Sequence, residues 1–115
     1  MRDRFLGVYT AVLADILDDR GRRDQTLPPE IRPLAPGTRL AGQAFTVEGR
    51  PSDHGDWDGS IRKTLAMLGS VPAGHVALYQ CNHTRSAHFG ELSATSLATR
   101  GVAGCVIDGG CRDTR

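Results

Sequence analysis

The stretch VAGCVIDGGCRD, residues 102–113, is the most informative segment for the fold, because it joins a short apolar run to a double glycine and then to an Arg-Asp pair. Residues 102–108 have the apolar content typical of a strand that is buried on both faces of a sheet. The double glycine ends that run. The stretch therefore predicts a core strand whose carboxyl end leads into a loop bearing Arg112 and Asp113.

Upstream segments alternate between strand and helix patterns. The segment QAFTVE has the β-branched and aromatic content of a strand, and apolar residues recur at helical spacing before Gly69, which is the expected end of that helix. An alternation of strand, helix, strand, helix and strand is typical of an α/β architecture with at least partly parallel pairing. The predicted strands are 43–48, 75–80 and 102–108, and the predicted helices are about 57–68 and 90–100.

The N-terminal part is predicted to contain one amphipathic helix and a proline-rich arm. Apolar residues recur at helical spacing over 10–20, with Thr10 as the N-cap and Gly21 as the left-handed residue that ends the helix. Residues 22–39 contain four prolines. Because each proline removes a backbone donor, this segment is predicted to be an ordered loop or arm.

Composition and charge exclude several classes of protein. An apolar content of 39% in 115 residues suffices for one domain with a modest core. The 14 Lys+Arg and 13 Asp+Glu leave a net charge of +1, too small to attract nucleic acid or an anionic membrane. No apolar run approaches the roughly 20 residues of a membrane span, so a cytoplasmic location is expected. Three cysteines, an odd number, fit reduced thiols better than a disulfide scaffold.

Two loops, 81–90 and 109–115, follow the carboxyl ends of predicted strands, where ligand sites form in parallel sheets. Because one crossover helix makes the two strands near neighbours, these loops are expected to converge. Glu91 falls in the first turn of a helix whose free N–H groups can bind a substrate carboxylate. Arg112 offers a planar fork for a carboxylate or enolate, and Asp113 is a hard oxygen ligand for Mg²⁺. Together these residue types describe a site for a small oxo-acid on a divalent metal.

The same residues also admit a simpler interpretation as solvated surface charge. Arg-Asp pairs occur at 2–3, 23–24 and 112–113, and most exposed pairs contribute little. Since 13 of 115 residues are acidic, an acidic residue at the matching upstream position arises by chance about one time in nine. The position of the third pair, after a double glycine and opposite a helix N-terminus, gives the functional interpretation the same weight as the simpler one.

Long segments of the chain resemble the RraA-like family, which includes the class II 4-hydroxy-4-methyl-2-oxoglutarate / 4-carboxy-4-hydroxy-2-oxoadipate aldolases. Gly90-Glu91, then twenty residues, then Arg112-Asp113 match the acidic-X20-Arg-Asp signature of that family. The resemblance covers most of the chain. The resembling segments, in family order, are TAVLADILDDRG (10–21), LPPEIRPLAPGTRLAGQAF (27–45), GELSATSLATRGVAG (90–104) and VIDGGCRDT (106–114).

The resemblance implies a fold and a role for each signature residue. The fold is a swivelling β/β/α domain over residues 1–115, assembled into trimers or hexamers with sites at subunit interfaces. Asp113 corresponds to the residue that binds Mg²⁺ or Mn²⁺ directly, and Glu91 to the residue that reaches the metal through water. Arg112 corresponds to the residue that contacts the pyruvyl part of the substrate. The segment that holds the substrate carboxylate with its backbone N–H groups corresponds to Gly90, Glu91, Leu92 and Ser93.

The implied chemistry is retro-aldol cleavage of a 4-hydroxy-2-oxo-dicarboxylic acid to pyruvate and a second oxo-acid, with decarboxylation of oxaloacetate as a side activity. Both reactions leave a pyruvate enolate, whose developing charge Arg112 and the metal would stabilise. The sequence contains a single lysine, Lys63, in a helix of surface character. A Schiff-base aldolase of class I is therefore not expected.

Three alternatives stay open. Family members that bind and inhibit RNase E without aldolase activity typically lack the acidic residue at the Glu91 position, so its presence favours the enzyme. A zinc site is a second alternative, but its Cys-X-His spacing is not standard for zinc; its ligands would be Cys81, His83, His88 and Cys111. An inactive truncated relative is the third, since relatives continue beyond the Arg-Asp pair and the C-terminal part of the domain is expected to be missing here.

Loop 81–89 departs from the Gly- and Asp-rich turn of relatives, which leaves the identity of the second oxo-acid open.

Overall fold

The computed structural model describes residues 1–50, 55–82 and 85–114, which form two compact units, Met1–Ala41 and Gly42–Arg115. Within these ranges every helix is too short or too polar to cross a bilayer. The first unit contains α1 (Arg2–Leu6) and α2 (Thr10–Asp19). The second contains, in chain order, β1 (Gln43–Glu48), α3 (Trp57–Ser70), β2 (His75–Gln80), β3 (Ala87–Phe89), α4 (Glu91–Thr99), β4 (Gly104–Asp108) and β5 (Gly110–Cys111).

Helix α2 confirms the helix predicted over 10–20, but it begins differently. Its N-cap residue is Tyr9, and no side chain caps the helix, so the capping role predicted for Thr10 is wrong. The chain enters the helix one residue earlier, and Thr10 is already the first helical residue. Gly21 ends the helix as predicted, with a φ of +73° and an N–H that donates to Asp18 O at 2.9 Å.

The arm over residues 22–39 contains no helix or strand, as predicted. Its side chains tie it to the helices of the same unit: an Arg39 N–H donates to Leu6 O at 2.7 Å, and Gln25 Nε2 donates to Asp18 Oδ1 at 2.7 Å. No residue of this unit, all of which is described, is buried. Local polar contacts therefore hold the unit internally, rather than a core of its own.

Strands β1, β2 and β4 form a parallel sheet in the order β1-β2-β4, which confirms the predicted α/β architecture. The bounds of β1 and β2 are the predicted ones, and β4 begins at Gly104, two residues later than predicted. The register places Glu48, Gln80 and Asp108 in one row, so the three strands end together at the same edge of the sheet.

The buried cluster lies on one face of this sheet, since its members Ala77 and Tyr79 are two residues apart on β2 and side chains alternate between the faces of a strand. From the helices, Leu68 of α3 and Leu97 of α4 pack into it and are 5% and 2% exposed. The buried cluster consists of Leu68, Val71, Ala77, Tyr79, Cys81 and Leu97. Strand β4 is only partly buried, and its last residue is exposed, so the expectation that it is buried on both faces is wrong.

Helix α3 continues to Ser70, so the prediction that Gly69 ends it is wrong. The residue before a proline is biased towards extended backbone. Val71 precedes Pro72 and has a ψ of 119°, so the helix stops before it, at Ser70. At the other end, the Asp56 carboxylate accepts a hydrogen bond from Gly59 N at 2.9 Å and caps the helix.

Candidate functional site

The two loops of the candidate site start side by side at the carboxyl edge of the main sheet. Gln80 and Asp108 are register partners at the ends of β2 and β4. The next residue along, Cys81, donates its N–H to Asp108 O at 3.0 Å. The predicted convergence of the two loops is therefore confirmed.

A second, two-stranded sheet then holds the loops together. Strands β3 and β5 pair in parallel, with Phe89 opposite Cys111. Beyond that pair, Arg112 N donates to Phe89 O at 3.0 Å. The Phe89 ring meets the Tyr79 ring edge-on, with 5.6 Å between centroids and 74° between planes, which anchors the small sheet on the core. Because β3 directly precedes Gly90 and β5 directly precedes Arg112, this pairing sets the site.

The structure brings the four signature residues together. Glu91 N donates to Asp113 Oδ2 at 3.3 Å, and Arg112 Nε lies 3.4 Å from the same oxygen. A Cβ at Gly90 would stand 2.7 Å from Asp113 Oδ2 and 3.0 Å from Arg112 Cγ. Any other residue at this position would force the Asp113 carboxylate to shift, since real Cβ atoms essentially never come within 3.0 Å of another group.

The backbone of Asp113 has a φ of +59°, in the left-handed region that non-glycine residues seldom adopt. Aspartate tolerates this region better than most residues. Loops with such backbone recur at functional sites, where surrounding contacts hold the unusual geometry. Here the geometry turns the carboxylate back towards α4, where it meets the Glu91 amide.

Both charged groups are open to a solute ligand. The side chains of Arg112 and Asp113 are 70% and 47% exposed. Glu91 and Leu92 are exposed and Ser93 is half-buried in the first turn of α4. The first intrahelical hydrogen bond of α4 runs from Ala94 N to Gly90 O at 3.0 Å, so the three preceding amides lie at the helix N-terminus, where anions bind.

The oxygen atoms at this site suit Mg²⁺ or Mn²⁺ better than a metal ion that takes all its ligands from the protein. Among the described residues there is no group of three or more His, Cys, Asp or Glu side chains able to hold a metal. Mg²⁺ usually keeps several waters and is bound through one or two carboxylates plus substrate oxygens. The exposed carboxylate of Asp113 fits that requirement, and Glu91 lies in the first turn of α4.

The zinc alternative gains no support. His83 lies outside the described residues, and Cys81, His88 and Cys111 do not form a three-ligand group. Burial, and secondarily the nearby Cys111, raise the pKa of Cys105 from 9.0 to about 11, and burial raises the pKa values of Cys81 and Cys111 as well.

Sequence reasoning missed the small sheet and its anchor. Strands of three and two residues are too short for an alternation pattern, so β3 and β5 left no periodic signal. The one available signal was an aromatic residue, Phe89, directly before the glycine of the signature. The ring of Phe89 contacts the ring of Tyr79. Burial, with smaller effects from Cys105 and Cys81, raises the pKa of Tyr79 to about 12, so the Tyr79 hydroxyl stays neutral.

Comparison with known proteins adds a family and a set of similar folds. A sequence-family model described as RraA-like: Aldolase/RraA matches residues 10–115. An uncharacterized protein from Pseudomonas syringae pv. tomato is 29% identical with a TM-score of 0.75, and the match covers 97% of this chain and 48% of that one. RraAS2 of Streptomyces coelicolor, described as an unusual member of the RNase ES inhibitor RraA protein family, is 25% identical with a TM-score of 0.75, covering 93% and 51%.

A third structure, described among novel cellulases from microbes of the gut ecosystem, is 24% identical with a TM-score of 0.80 and covers 96% of this chain and 50% of that one. At that identity the likeness concerns the fold alone. This chain spans about half the length of all three solved structures.

Proposed function

This chain belongs to the Aldolase/RraA family and shares its α/β fold, and from that premise we propose that it is part of a divalent-metal-dependent lyase of class II. The proposed reaction cleaves a 4-hydroxy-2-oxo-dicarboxylic acid to pyruvate and a second oxo-acid, with decarboxylation of oxaloacetate as a side activity. The observation that supports it most is the meeting of Gly90-Glu91 with Arg112-Asp113 at the carboxyl edge of the sheet.

Each group at this edge has a part in the proposal. Asp113 would hold Mg²⁺ or Mn²⁺ directly, and Glu91 would reach it through water. When bound, the cation supplies Lewis-acid polarisation of the 2-oxo group. The backbone N–H groups of residues 90–93, at the N-terminus of α4, would hold the carboxylate of the pyruvyl half, because a helix N-terminus favours an anion.

Arg112 has the proposed task of stabilising the enolate that remains when the carbon–carbon bond breaks. Its guanidinium is always positively charged and can donate two parallel N–H bonds to the two oxygens of a carboxylate or an enolate. The backbone of the same residue is held by Phe89 O, so the guanidinium starts from an anchored point. Donors that are fixed before charge develops are worth about 10²–10³-fold in rate each.

The proposal is tested by pyruvate release from the full-length protein, coupled to lactate dehydrogenase. Oxaloacetate and 4-hydroxy-4-methyl-2-oxoglutarate are supplied in turn, with Mg²⁺, with Mn²⁺ and with EDTA. A protein-free control with each metal corrects for spontaneous decarboxylation of oxaloacetate. We expect release that depends on both protein and metal; rates equal to the protein-free control with both substrates would reject the lyase.

A regulator that binds RNase E without catalysis is the second candidate, favoured by the similarity to the RNase ES inhibitor family member of Streptomyces coelicolor. The acidic residue Glu91 supports the lyase over this alternative, because the resemblance associates its loss with non-catalytic members. Inhibition of RNase E cleavage of a single-stranded RNA, together with absence of metal-dependent pyruvate release, is the result that would favour the regulator.

The proposal includes a cytoplasmic homo-oligomer, a trimer or hexamer as the resemblance implies. One surface supports association between copies: Trp57, Ile61 and Leu65 recur every four residues on α3 and are 76%, 42% and 62% exposed. Large exposed apolar patches of this kind mark interaction surfaces. Light scattering of the full-length protein during size-exclusion chromatography measures the assembly, and a monomeric mass would reject this part of the proposal.

A further inference from the structure

The two kinds of donor that would bind a substrate anion converge on one oxygen of the chain itself. Asp113 Oδ2 accepts from Glu91 N at 3.3 Å and lies 3.4 Å from Arg112 Nε. A carboxylate of the protein therefore contacts both the helix N-terminus and the guanidinium. These are the groups that the proposed lyase would use to bind its oxo-acid.

We infer that Asp113 acts as an internal competitor: without a divalent cation its carboxylate blocks the oxo-acid site, and coordination of that carboxylate by the cation opens the site. The inference rests on the proposed function, because it takes the donors at Gly90-Glu91 and Arg112 to be the anion site. Its consequence is an order of binding in which the cation precedes the oxo-acid.

The space at the site admits one carboxylate at a time. The position of a Gly90 Cβ lies 2.7 Å from Asp113 Oδ2 and 3.2 Å from Arg112 Nε, so the carboxylate already fills the gap between helix and guanidinium. A second anion there would also face the negative charge of the first. Asp113 and an incoming carboxylate therefore exclude each other through both contact and charge.

The contact is loose enough to be exchanged. Charge-assisted N–H···O bonds are usually about 2.7–2.9 Å long, and both contacts of Asp113 Oδ2 are longer. The side chain is also 47% exposed, so it can rotate into solvent without unpacking a core. A weak internal contact still competes well, because a tethered group has an effective concentration on the order of millimolar.

The direct test is binding of oxalate, which has the paired oxygens of a pyruvate enolate and is not turned over. Calorimetric titrations of the full-length protein in EDTA compare wild type with Asp113→Asn, which keeps the side-chain shape and removes the charge. We expect Asp113→Asn to bind metal-free oxalate about tenfold tighter or more, the scale of one hydrogen bond to a charged group. Equal affinities would overturn the inference.

Asp108→Asn is the matched control, because it removes one exposed carboxylate at the same sheet edge. Its backbone oxygen accepts the hydrogen bond from Cys81 and is unaffected. We expect its metal-free oxalate affinity to change by less than about twofold. A gain equal to that of Asp113→Asn would mean that general charge, not competition at the α4 N-terminus, sets the affinity, and would overturn the inference.

A second readout is spectroscopic. The amide proton shift of Glu91, read by NMR, should move when Mg²⁺ withdraws Asp113 from it, and Asp113→Asn without metal should move it in the same direction. A Glu91 amide that stays unchanged at saturating Mg²⁺ would contradict the inference. Neither readout uses turnover. If both tests succeed but the protein releases no pyruvate, the proposed lyase function is rejected and the inference about Asp113 stands.

Discussion

The three-stranded sheet and the two-stranded sheet are held together by different forces. The larger sheet, β1-β2-β4, is covered on one face by a buried apolar cluster that includes Leu68 and Leu97. The smaller sheet, β3-β5, has strands of three and two residues, and its outer positions Ala87 and Cys111 are exposed. An isolated pair of short strands is marginal in water, so the smaller sheet depends on the ring contact of Phe89 with Tyr79.

The residues that stabilise the fold and the residues proposed to act on substrate therefore lie in different places. The core that stabilises the second unit lies below the sheet, whereas the groups proposed to act on substrate lie beyond its edge, where Arg112 and Asp113 are largely open to solvent. Substitutions in the core should therefore alter the free energy of unfolding, and substitutions at the edge should alter ligand binding and turnover. Each substitution below changes one side of this comparison.

Leu68→Ala should give the largest effect, on the core side. Leu68 is 5% exposed within the apolar cluster, and truncation of a buried leucine costs about 2–5 kcal/mol because it leaves a cavity. Urea denaturation of the full-length protein measures the loss. In the arm, Leu34 is 81% exposed, and Leu34→Ala should change the free energy of unfolding by less than about 0.5 kcal/mol. Equal losses would show that the apolar cluster is not the core.

Arg112→Lys should lower pyruvate turnover about 10²–10³-fold, because a point charge cannot replace the paired donors of a guanidinium at a developing enolate. Its free energy of unfolding should stay within about 0.5 kcal/mol of wild type, since the side chain is 70% exposed. The control is Arg62→Lys, on the exposed part of α3, which should leave turnover unchanged. An Arg112→Lys protein with wild-type turnover would remove Arg112 from the proposed site.

Gly90→Ala should have a smaller effect, about tenfold to hundredfold on turnover, because the new methyl group would push the Asp113 carboxylate out of place. The backbone of Gly90 is extended, with a φ of −162°, so alanine adds no backbone strain. Gly69→Ala is the control, since nothing lies within 4 Å of a Cβ there. It should keep full turnover; if both variants lose turnover equally, the close approach at Gly90 has no special role.

The smallest expected effect is a pH dependence of stability on the core side. Burial raises the pKa of Cys105 from 9.0 to about 11, so above pH 9 the unfolded chain binds fewer protons than the folded chain. The free energy of unfolding should be unaffected by this thiol below pH 9 and should fall as the pH rises towards about 11. Urea denaturation across that range should show a shallower fall in Cys105→Ala than in wild type. Parallel curves would contradict the burial of this thiol.

The sequence predicted the larger sheet well and the smaller sheet not at all. Strands β1 and β2 were predicted at their observed bounds, because six residues of strand pattern bounded by turn residues leave a clear signal. The end of α3 was missed because Pro72, which acts on the residue before it, outweighed the propensity of Gly69. Strands β3 and β5 pair through tertiary contacts that no local pattern records.

The candidate site was predictable in its residues and not in its geometry. Spacing and family resemblance pointed to Glu91, Arg112 and Asp113, and the convergence of two strand ends followed from parallel topology. The contact between Asp113 and the Glu91 amide depends on a positive φ at a non-glycine residue. A single sequence contains no signal for that backbone geometry, so the internal competitor emerged only from the structure.

A Mg²⁺ titration of pyruvate release from oxaloacetate shows whether the edge formed by Gly90-Glu91 and Arg112-Asp113 is a metal-dependent lyase site. The full-length wild type, Asp113→Asn and Asp108→Asn are compared after removal of metal with EDTA and dialysis. We expect saturable activation by Mg²⁺ in wild type and Asp108→Asn, and a rate for Asp113→Asn roughly 10²-fold lower or more at every Mg²⁺ concentration. Full activation of Asp113→Asn by Mg²⁺ would contradict the proposed site.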